Sequence, residues 1–185
     1  QAVAPQVDAA AIAQMRAQAA TGISKRMAIA ARILGDHFGP QADVQFRSHE
    51  SDTVRGWACF LVGALPDVSL QARLDRIRPL ADDAHFGVRE WAWLAVRPRL
   101  ADDLQASVQA LRPWTQDRSE RVRRFASESL RPRGVWCAHI AALKSDPAIA
   151  LPLLEPLRAD PAAYVQDSVA NWLNDASKDQ PCLLY

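Results

Sequence analysis

Residues 54–58 of this chain read VRGWA, residues 88–92 read VREWA and residues 122–126 read VRRFA. A weaker fourth copy, VQDSV, follows at residues 165–169. The first three copies begin 34 residues apart, and the fourth begins 43 residues after the third. A fixed period in this range is typical of solenoids, in which small units of secondary structure stack on their neighbours.

Each copy of the pattern predicts a helix. If its first valine is position 0, apolar residues recur at +4 and +8, which is the spacing of one helical face and not of a strand. These residues are Val54, Ala58 and Val62; Val88, Ala92 and Val96; Val122, Ala126 and Leu130; and Val165, Val169 and Leu173. Repeat helices are therefore predicted near residues 51–63, 85–97, 119–131 and 162–175.

Further helices are predicted before and between the repeat helices. They cover residues 69–81, 104–115 and 148–159, a short segment at 136–144, and a first pair at 9–20 and 24–38. Prolines such as Pro98 and Pro132 are expected to end helices, and Ser51, Ser69 and Ser119 are expected to be N-caps. The sequence thus predicts an all-α solenoid of HEAT-like repeats, forming one domain over residues 1–185.

Composition fits this class. Apolar residues make up 49% and charged residues 23% of the 185-residue chain, as in ordinary globular proteins. No apolar run approaches the ~18 residues of a membrane span, and no signal peptide is recognisable. The three cysteines lie far apart and form no CxxC pair, which predicts a reducing cytoplasm and no structural zinc site. We also expect a monomer without a cofactor. Motifs of serine hydrolases, P-loop enzymes and HExxH metalloproteases are also absent from the sequence.

Three acids occupy related positions in successive repeats. Glu90 is at +2, Glu128 at +6 and Asp175 at +10. Each step of four residues turns a helix by a net ~40°, so the three side chains are predicted to point to nearly the same side of neighbouring helices. We expect that side to face a groove or solvent. The alternative is that all three are ordinary solvated acids.

Two tryptophans are candidate ligand-binding groups. Trp136 follows a Pro/Gly break, and we expect it at a helix start with its ring toward the groove; alternatively, it plugs the turn between two repeats. Trp91 and Trp93 share one helix, so one can fill the core while the other does not.

Residues 122–136 (VRRFASESLRPRGVW) and 164–181 (YVQDSVANWLNDASKDQP) resemble the AlkC branch of the AlkC/AlkD family of DNA alkylation repair glycosylases. The resemblance covers residues 50–181. It implies a curved solenoid whose concave basic face holds duplex DNA, and release of positively charged N3- or N7-alkylated purines by cleavage of the N-glycosidic bond. Relatives continue past the position of Tyr185, so we expect that this sequence stops within a further helix.

The resemblance also implies roles for particular residues. Asp175, Glu90 and Glu128 match the family's catalytic acids, and Trp91 and Trp136 match its substrate-binding aromatics. Such a lesion leaves as a neutral base, so the acids are needed to stabilise the developing sugar cation and to position water. Aromatic faces can hold the cationic lesion by cation–π attraction.

All basic side chains between positions 85 and 133, histidine aside, are arginines, and this segment contains ten arginines and six acidic residues. The expected phosphate ligands are Arg89, Arg121, Arg123, Arg124, Arg131 and Arg133. Alternatively, the arginine at +1, such as Arg55 or Arg89, pairs with an aspartate of a neighbouring repeat. The fourth copy has Gln166 at +1, which we expect to weaken one DNA contact. A non-catalytic scaffold that binds DNA or protein, and a family member that binds DNA without cleaving it, stay open as alternative functions.

Overall fold

The computed structural model describes residues 9–18 and 20–181, and within them the chain is all-α, so the predicted fold class is confirmed. The α-helices, in chain order, are α1 Ala9–Ala17, α2 Ile23–Phe38, α3 Ala42–Phe46, α4 Asp52–Ala64, α5 Leu70–Ala81, α6 Phe86–Asp102, α7 Leu104–Leu111, α8 Glu120–Glu128, α9 Ala141–Ser145, α10 Leu151–Leu154 and α11 Ala163–Ser177. Short 3₁₀ helices cover Gly39–Gln41, Arg112–Gln116, Pro147–Ala150 and Glu155–Leu157. No helix of the described residues is long and apolar enough to span a bilayer.

The four copies of the sequence pattern lie on α4, α6, α8 and α11, and their apolar stripe forms the core. The first valine of each copy is at most 1% exposed, and the alanines at +4 in the first three copies are fully buried. Helix α4 packs on α6 and α8 packs on α11, while α5 fills the layer behind α6. Burying one apolar face of each helix against the next is what makes the repeats stable as a stack.

Helices α4 and α6 approach each other closely at Gly63. A Cβ atom at this position would collide with the backbone carbonyl oxygen of Ala95 in α6. The obstacle is backbone that belongs to another helix, so it cannot move aside as a flexible side chain would.

We therefore expect Gly63→Ala to lower the free energy of unfolding by about 1–3 kcal/mol, as overpacking does in other cores. Gly22→Ala is a suitable control because a Cβ there meets no atom within 4 Å. It should change stability by less than about 1 kcal/mol. Urea denaturation of both variants measures the difference, and equal stability of the two would show that the helices can separate at no cost.

Several helix boundaries differ from the predictions. The segment predicted as a helix over 148–159 is divided into a turn of α-helix between two 3₁₀ turns, with Pro147, Pro152 and Pro156 each in the first positions of a turn. Proline is tolerated there because the first N–H groups of a helix have no intrahelical partner. Pro98 does not end its helix, since α6 continues to Asp102.

The loops before the repeat helices share a device that the sequence reading missed. The residue five positions before the first valine accepts a hydrogen bond from the N–H two residues further on, over 2.7–3.0 Å. It is His49, Asp83, Asp117 or Asp160. Ser51 and Ser119, which were predicted as N-caps, make no capping hydrogen bond, whereas Ser69 does cap its helix through the N–H of Ala72.

Candidate active site

Five charged side chains form one line of ion pairs, which we call the charged row: Glu90 on α6, Arg124 and Glu128 on α8, Arg131 just after α8, and Asp175 on α11. Arg124 Nη1 lies 2.7 Å from Glu90 Oε1, and its Nη2 lies 3.5 Å from Glu128 Oε2. Arg131 Nη1 lies 2.8 Å from Glu128 Oε1, and its Nη2 lies 2.7 Å from Asp175 Oδ2. The three predicted acids thus belong to one network, with an arginine between each neighbouring pair.

Two of these acids are buried, although we expected all three to face a groove or solvent. The side chains of Glu128 and Asp175 are only 4% and 5% exposed, whereas that of Glu90 is 25% exposed. Burial of a carboxylate is costly unless it is paired and hydrogen-bonded. Glu128 meets that condition with its two arginines and with the hydroxyl of Ser168, which donates to Oε2 over 2.7 Å.

The two oxygens of Asp175 have different surroundings. Oδ2 accepts from both Nε and Nη2 of Arg131, at 2.9 and 2.7 Å. Oδ1 has only the ammonium of Lys178, at 3.4 Å, and that side chain is half exposed. Because this contact is long and its lysine is half exposed, Oδ1 is the oxygen of Asp175 that can exchange its partner for another group.

The arginines of the charged row are held in their charged form. Burial lowers the pKa of Arg124, but the carboxylates of Glu128 and Glu90 outweigh it and leave the pKa raised. The pKa of Arg131 is raised in the same way, with Glu128 and Asp175 outweighing burial. The row thus contains three carboxyl groups and two guanidinium groups, and the ammonium of Lys178 beside Asp175 adds a third cation.

Aromatic side chains that the sequence reading did not single out support this row. The indole N–H of Trp93, which is 3% exposed, donates to Glu90 Oε2 over 3.0 Å. The ring of Tyr164 lies under the guanidinium groups of Arg124 and Arg89, at 4.4 and 5.2 Å, and its hydroxyl accepts from Arg89 Nε over 3.1 Å. Only the position of Tyr164, directly before the fourth copy of the pattern, hinted at this contact.

Trp91 lies on the other side of α6. A Cβ atom at Gly56 of α4 would come within 2.6 Å of Trp91 Cζ3, so the indole packs directly on the backbone of the preceding repeat helix. Trp93 fills the core and Trp91 is only partly buried, as expected for one of the pair. Trp91 therefore faces the preceding repeat, while Glu90 faces the next one.

Trp136 lies in the loop between α8 and α9, not at a helix start as predicted. It is 81% exposed, so it does not plug the turn between repeats either. Its φ of 59° is in the left-handed region, which is unfavourable for a bulky residue. The structure thus exposes an aromatic ring to solvent on the loop that follows α8, which also contains Arg131 of the charged row.

Solved structures with the same overall fold are known. The DNA-bound alkylpurine DNA glycosylase AlkC of Pseudomonas fluorescens superposes with a TM-score of 0.78 at 27% identity, over 94% of this chain and 49% of that one. AlkD2 of Streptococcus mutans has a TM-score of 0.69 at 21% identity, over 94% of this chain and 86% of that one. The chain has the AlkC/AlkD fold.

The resemblance that residues 122–136 and 164–181 indicate is thus confirmed, and the TM-score with AlkC exceeds that with AlkD2. The chain spans about half the length of AlkC. No protein-family model matches it. "Uncharacterized protein YhaZ" of Bacillus subtilis (strain 168) is 57% identical over 49 residues, which are 26% of this chain and 14% of that protein.

In this chain, the arginines at +1 bind protein groups. Nη1 of Arg55, Arg89 and Arg123 donates in each case to the carbonyls five and six residues earlier. The amide of Gln166, at +1 in the fourth copy, donates to the carbonyl six residues earlier as well. The +1 side chain therefore ties each repeat helix to the loop before it, and Gln166 performs this task without a charge.

The six arginines predicted to contact phosphate fall into two groups. Arg123 is bidentate with Asp160 at 2.6 and 2.9 Å, Arg133 is bidentate with Asp179, and Arg124 and Arg131 belong to the charged row. Arg89 and Arg121 have no carboxylate within ion-pair distance in the part of the chain that the structure describes. The alternative of pairing with an aspartate of a neighbouring repeat holds for Arg55, which binds Asp83, but not for Arg89.

Buried aspartates of the loops make the fold sensitive to acid. The bond from Arg123 is the main cause that lowers the pKa of Asp160, and the N–H of Ala162 lowers it further. Because the folded pKa lies below the unfolded one, this group stabilises the fold above pH ~4 and loses that contribution as pH falls through the folded pKa.

We expect Asp160→Asn to lower the free energy of unfolding by about 1–3 kcal/mol at pH 6. We also expect it to weaken the pH dependence between about pH 5 and 2, since asparagine can still accept from Ala162 N–H but has no charge to titrate. Denaturant unfolding of both proteins across this pH range measures the effect. Parallel curves for the two proteins would contradict it.

Proposed function

We propose that the chain is an alkylpurine DNA glycosylase that hydrolyses the N-glycosidic bond of positively charged N3- or N7-alkylated purines in duplex DNA. The observation that carries the proposal is the charged row, which brings three acids from consecutive repeat helices into one network. The 27% identity to AlkC, a protein described as an alkylpurine DNA glycosylase and bound to DNA with an abasic-site analog, supports it.

The chemistry suits the residues. As the C1′–N bond breaks, its electron pair moves to the base and neutralises the lesion's charge, so no acid is needed to protonate the leaving group. Positive charge then develops on the deoxyribose, where a nearby carboxylate stabilises it. Water forms the new C1′–O bond, and we propose that Oδ1 of Asp175 takes its proton.

The other acids have supporting roles. Glu90 is the more exposed end of the charged row, so we propose that it faces the lesion side of the substrate. Glu128 is buried between two arginines and fixes both of them, and through Arg131 it fixes Asp175. The exposed ring of Trp136 supplies a face for the deoxyribose or the cationic base, and Trp91 is a second candidate on the neighbouring helix surface.

Excision of bases from methylated duplex DNA tests the proposal. Release of N3-methyladenine or N7-methylguanine by the protein, with no release of normal purines, would support it. No release above the protein-free rate, with duplex binding retained, would favour a non-catalytic DNA-binding scaffold instead. Absence of both release and duplex binding would favour a scaffold for protein partners.

We propose that duplex DNA binds Arg89 and Arg121, which have no carboxylate partner in the described residues and keep guanidinium donors that the fold does not use. Arg121 makes one hydrogen bond in the described residues, from Nη1 to the carbonyl of Asp82 at 3.0 Å. Arg121→Gln should therefore reduce the slope of log K against log salt by about 0.9, the value for one phosphate contact.

Arg32→Gln removes the same charge on α2, where the guanidinium pairs with Asp36 on the surface. The slope of this control should stay at the wild-type value. Fluorescence anisotropy with an undamaged duplex at several salt concentrations measures both slopes. An unchanged slope for Arg121→Gln would remove Arg121 from the DNA interface.

A further inference from the structure

The loop of residues 129–138, which joins α8 to α9, carries two groups of the proposed site. Arg131 near its start binds Glu128 and Asp175, and Trp136 near its end is exposed. The positive φ of Trp136 is a conformation that persists only where the surroundings enforce it. The loop has no helix or strand of its own, so another part of the fold must hold it.

Arg97 of α6 is in the position to hold this loop. Its guanidinium donates from Nη1 to the carbonyl of Ser129 over 2.9 Å and from Nη2 to that of Arg131 over 2.6 Å. It reaches the other end of the loop through Ala138, whose carbonyl lies 3.3 Å from Nη2 and 3.4 Å from Nε. One side chain thus joins both ends of the loop to a helix more than thirty residues earlier in the chain.

The surroundings of Arg97 show that this contact is its main function in the fold. The residue is 2% exposed and has no carboxylate within ion-pair distance in the described residues. Burial is the main cause that lowers its pKa. The carbonyl groups at the C-terminal end of α8 carry the partial negative charge of the helix dipole. They therefore stabilise the buried guanidinium of Arg97.

The loop backbone also packs on the guanidinium itself. A Cβ atom at Gly134 would lie 3.3 Å from Arg97 Cζ and 2.6 Å from Cys137 Sγ, so a larger residue would require the side chain of Cys137 to move. The loop is therefore in contact with Arg97 at its start, its middle and its end.

We propose that Arg97 is a positioning residue of the glycosylase site, which holds the 129–138 loop so that Trp136 faces the substrate and Arg131 faces the two buried acids. The proposal rests on the proposed function. Arg97 touches neither substrate nor acid in this scheme. Its effect on the reaction passes through Arg131, whose carbonyl it binds while the side chain of Arg131 orients Glu128 and Asp175.

The chain contains a matched control in Arg73 of α5. It is 5% exposed and donates to the carbonyls of Val62, Gly63 and Leu65, the last two over 3.0 and 2.7 Å. These carbonyls lie at the C-terminal end of α4, so Arg73 caps the end of a helix as Arg97 does. The loop that it holds carries none of the proposed site residues.

Lysine at either position keeps the charge and the burial but loses the planar fork that binds several carbonyls at once. We expect Arg97→Lys and Arg73→Lys to lower the melting temperature by similar amounts. Arg97→Lys should speed amide hydrogen exchange in residues 129–140. It should also slow single-turnover excision by about 10–100-fold, which is the effect expected when a catalytic group is misplaced by about 1 Å. The Kd for DNA should change by less than about threefold. Arg73→Lys should speed exchange only near residues 62–66 and leave single-turnover excision within about twofold of wild type.

Equal loss of excision in the two variants would overturn the proposal, because Arg97 would then contribute only stability. Unchanged exchange in residues 129–140 of Arg97→Lys would also overturn it, since the loop would not depend on the clamp. A wild-type protein that excises nothing would instead contradict the proposed function, and hydrogen exchange would then still decide whether Arg97 holds the loop.

Discussion

Asp175→Asn is expected to reduce the single-turnover rate of N3-methyladenine release from duplex DNA by about 10²–10³-fold, the usual effect of removing one preorganised charge at a reacting centre. The substitution keeps the size of the side chain. The oxygen that replaces Oδ2 can still accept from Arg131. What is lost is the negative charge next to the developing sugar cation and the oxygen that takes the proton of water.

Asp179→Asn is the matched control for this experiment. Asp179 is one turn further along, and it also pairs with an arginine, Arg133 Nη2 at 2.8 Å. Because it lies outside the charged row, its replacement should leave the excision rate within about threefold of wild type. Thermal unfolding of both variants shows how much of each sample is folded. Full activity of folded Asp175→Asn would remove this carboxylate from the reaction.

Arg131→Met is expected to have the largest effect on stability, about 3–5 kcal/mol of the free energy of unfolding. The guanidinium neutralises Glu128 and Asp175, whose side chains are 4% and 5% exposed. Methionine fills a similar volume but leaves two buried carboxylates facing each other with one cation fewer.

Arg133→Met gives the comparison two residues away. Its partner Asp179 is 24% exposed, and the pair is open to solvent, so its removal should destabilise the fold far less than Arg131→Met does. Urea denaturation of both variants at pH 7 separates the two cases. A stability loss near 1 kcal/mol for Arg131→Met would mean that water reaches Glu128 and Asp175 and that the charged row is not sealed from solvent.

Local pattern was sufficient to predict the repeat helices and the direction of the acids. The three valines 34 residues apart mark equivalent positions on α4, α6 and α8, because the helix period alone fixes which face each residue occupies. The same rule brought Glu90, Glu128 and Asp175 to neighbouring sides of three helices, where the structure joins them into one network. Their catalytic role and the DNA contacts stay predictions.

Partners could not be predicted from that pattern. Arg124 and Arg131 were expected to bind phosphate, but their guanidinium groups bind the acids of adjacent helices. Arg123 binds Asp160, 37 residues later, and Arg97 binds a loop up to 41 residues later. A long arginine side chain can reach a groove or a neighbouring helix equally well, so its direction on its own helix does not determine which group it meets.

The sequence by itself therefore determined the period, the helical class and the common direction of the three acids, because these depend only on spacing along the chain and on the helix period. Only the tertiary structure decided that two of the acids are buried, that arginines separate them and that the loop of Trp136 is held by Arg97. Burial and ion pairing depend on the distance between helices. Residues such as Gly56 and Gly63, which have no side chain, allow a close approach, and their effect appears only when two repeats pack together.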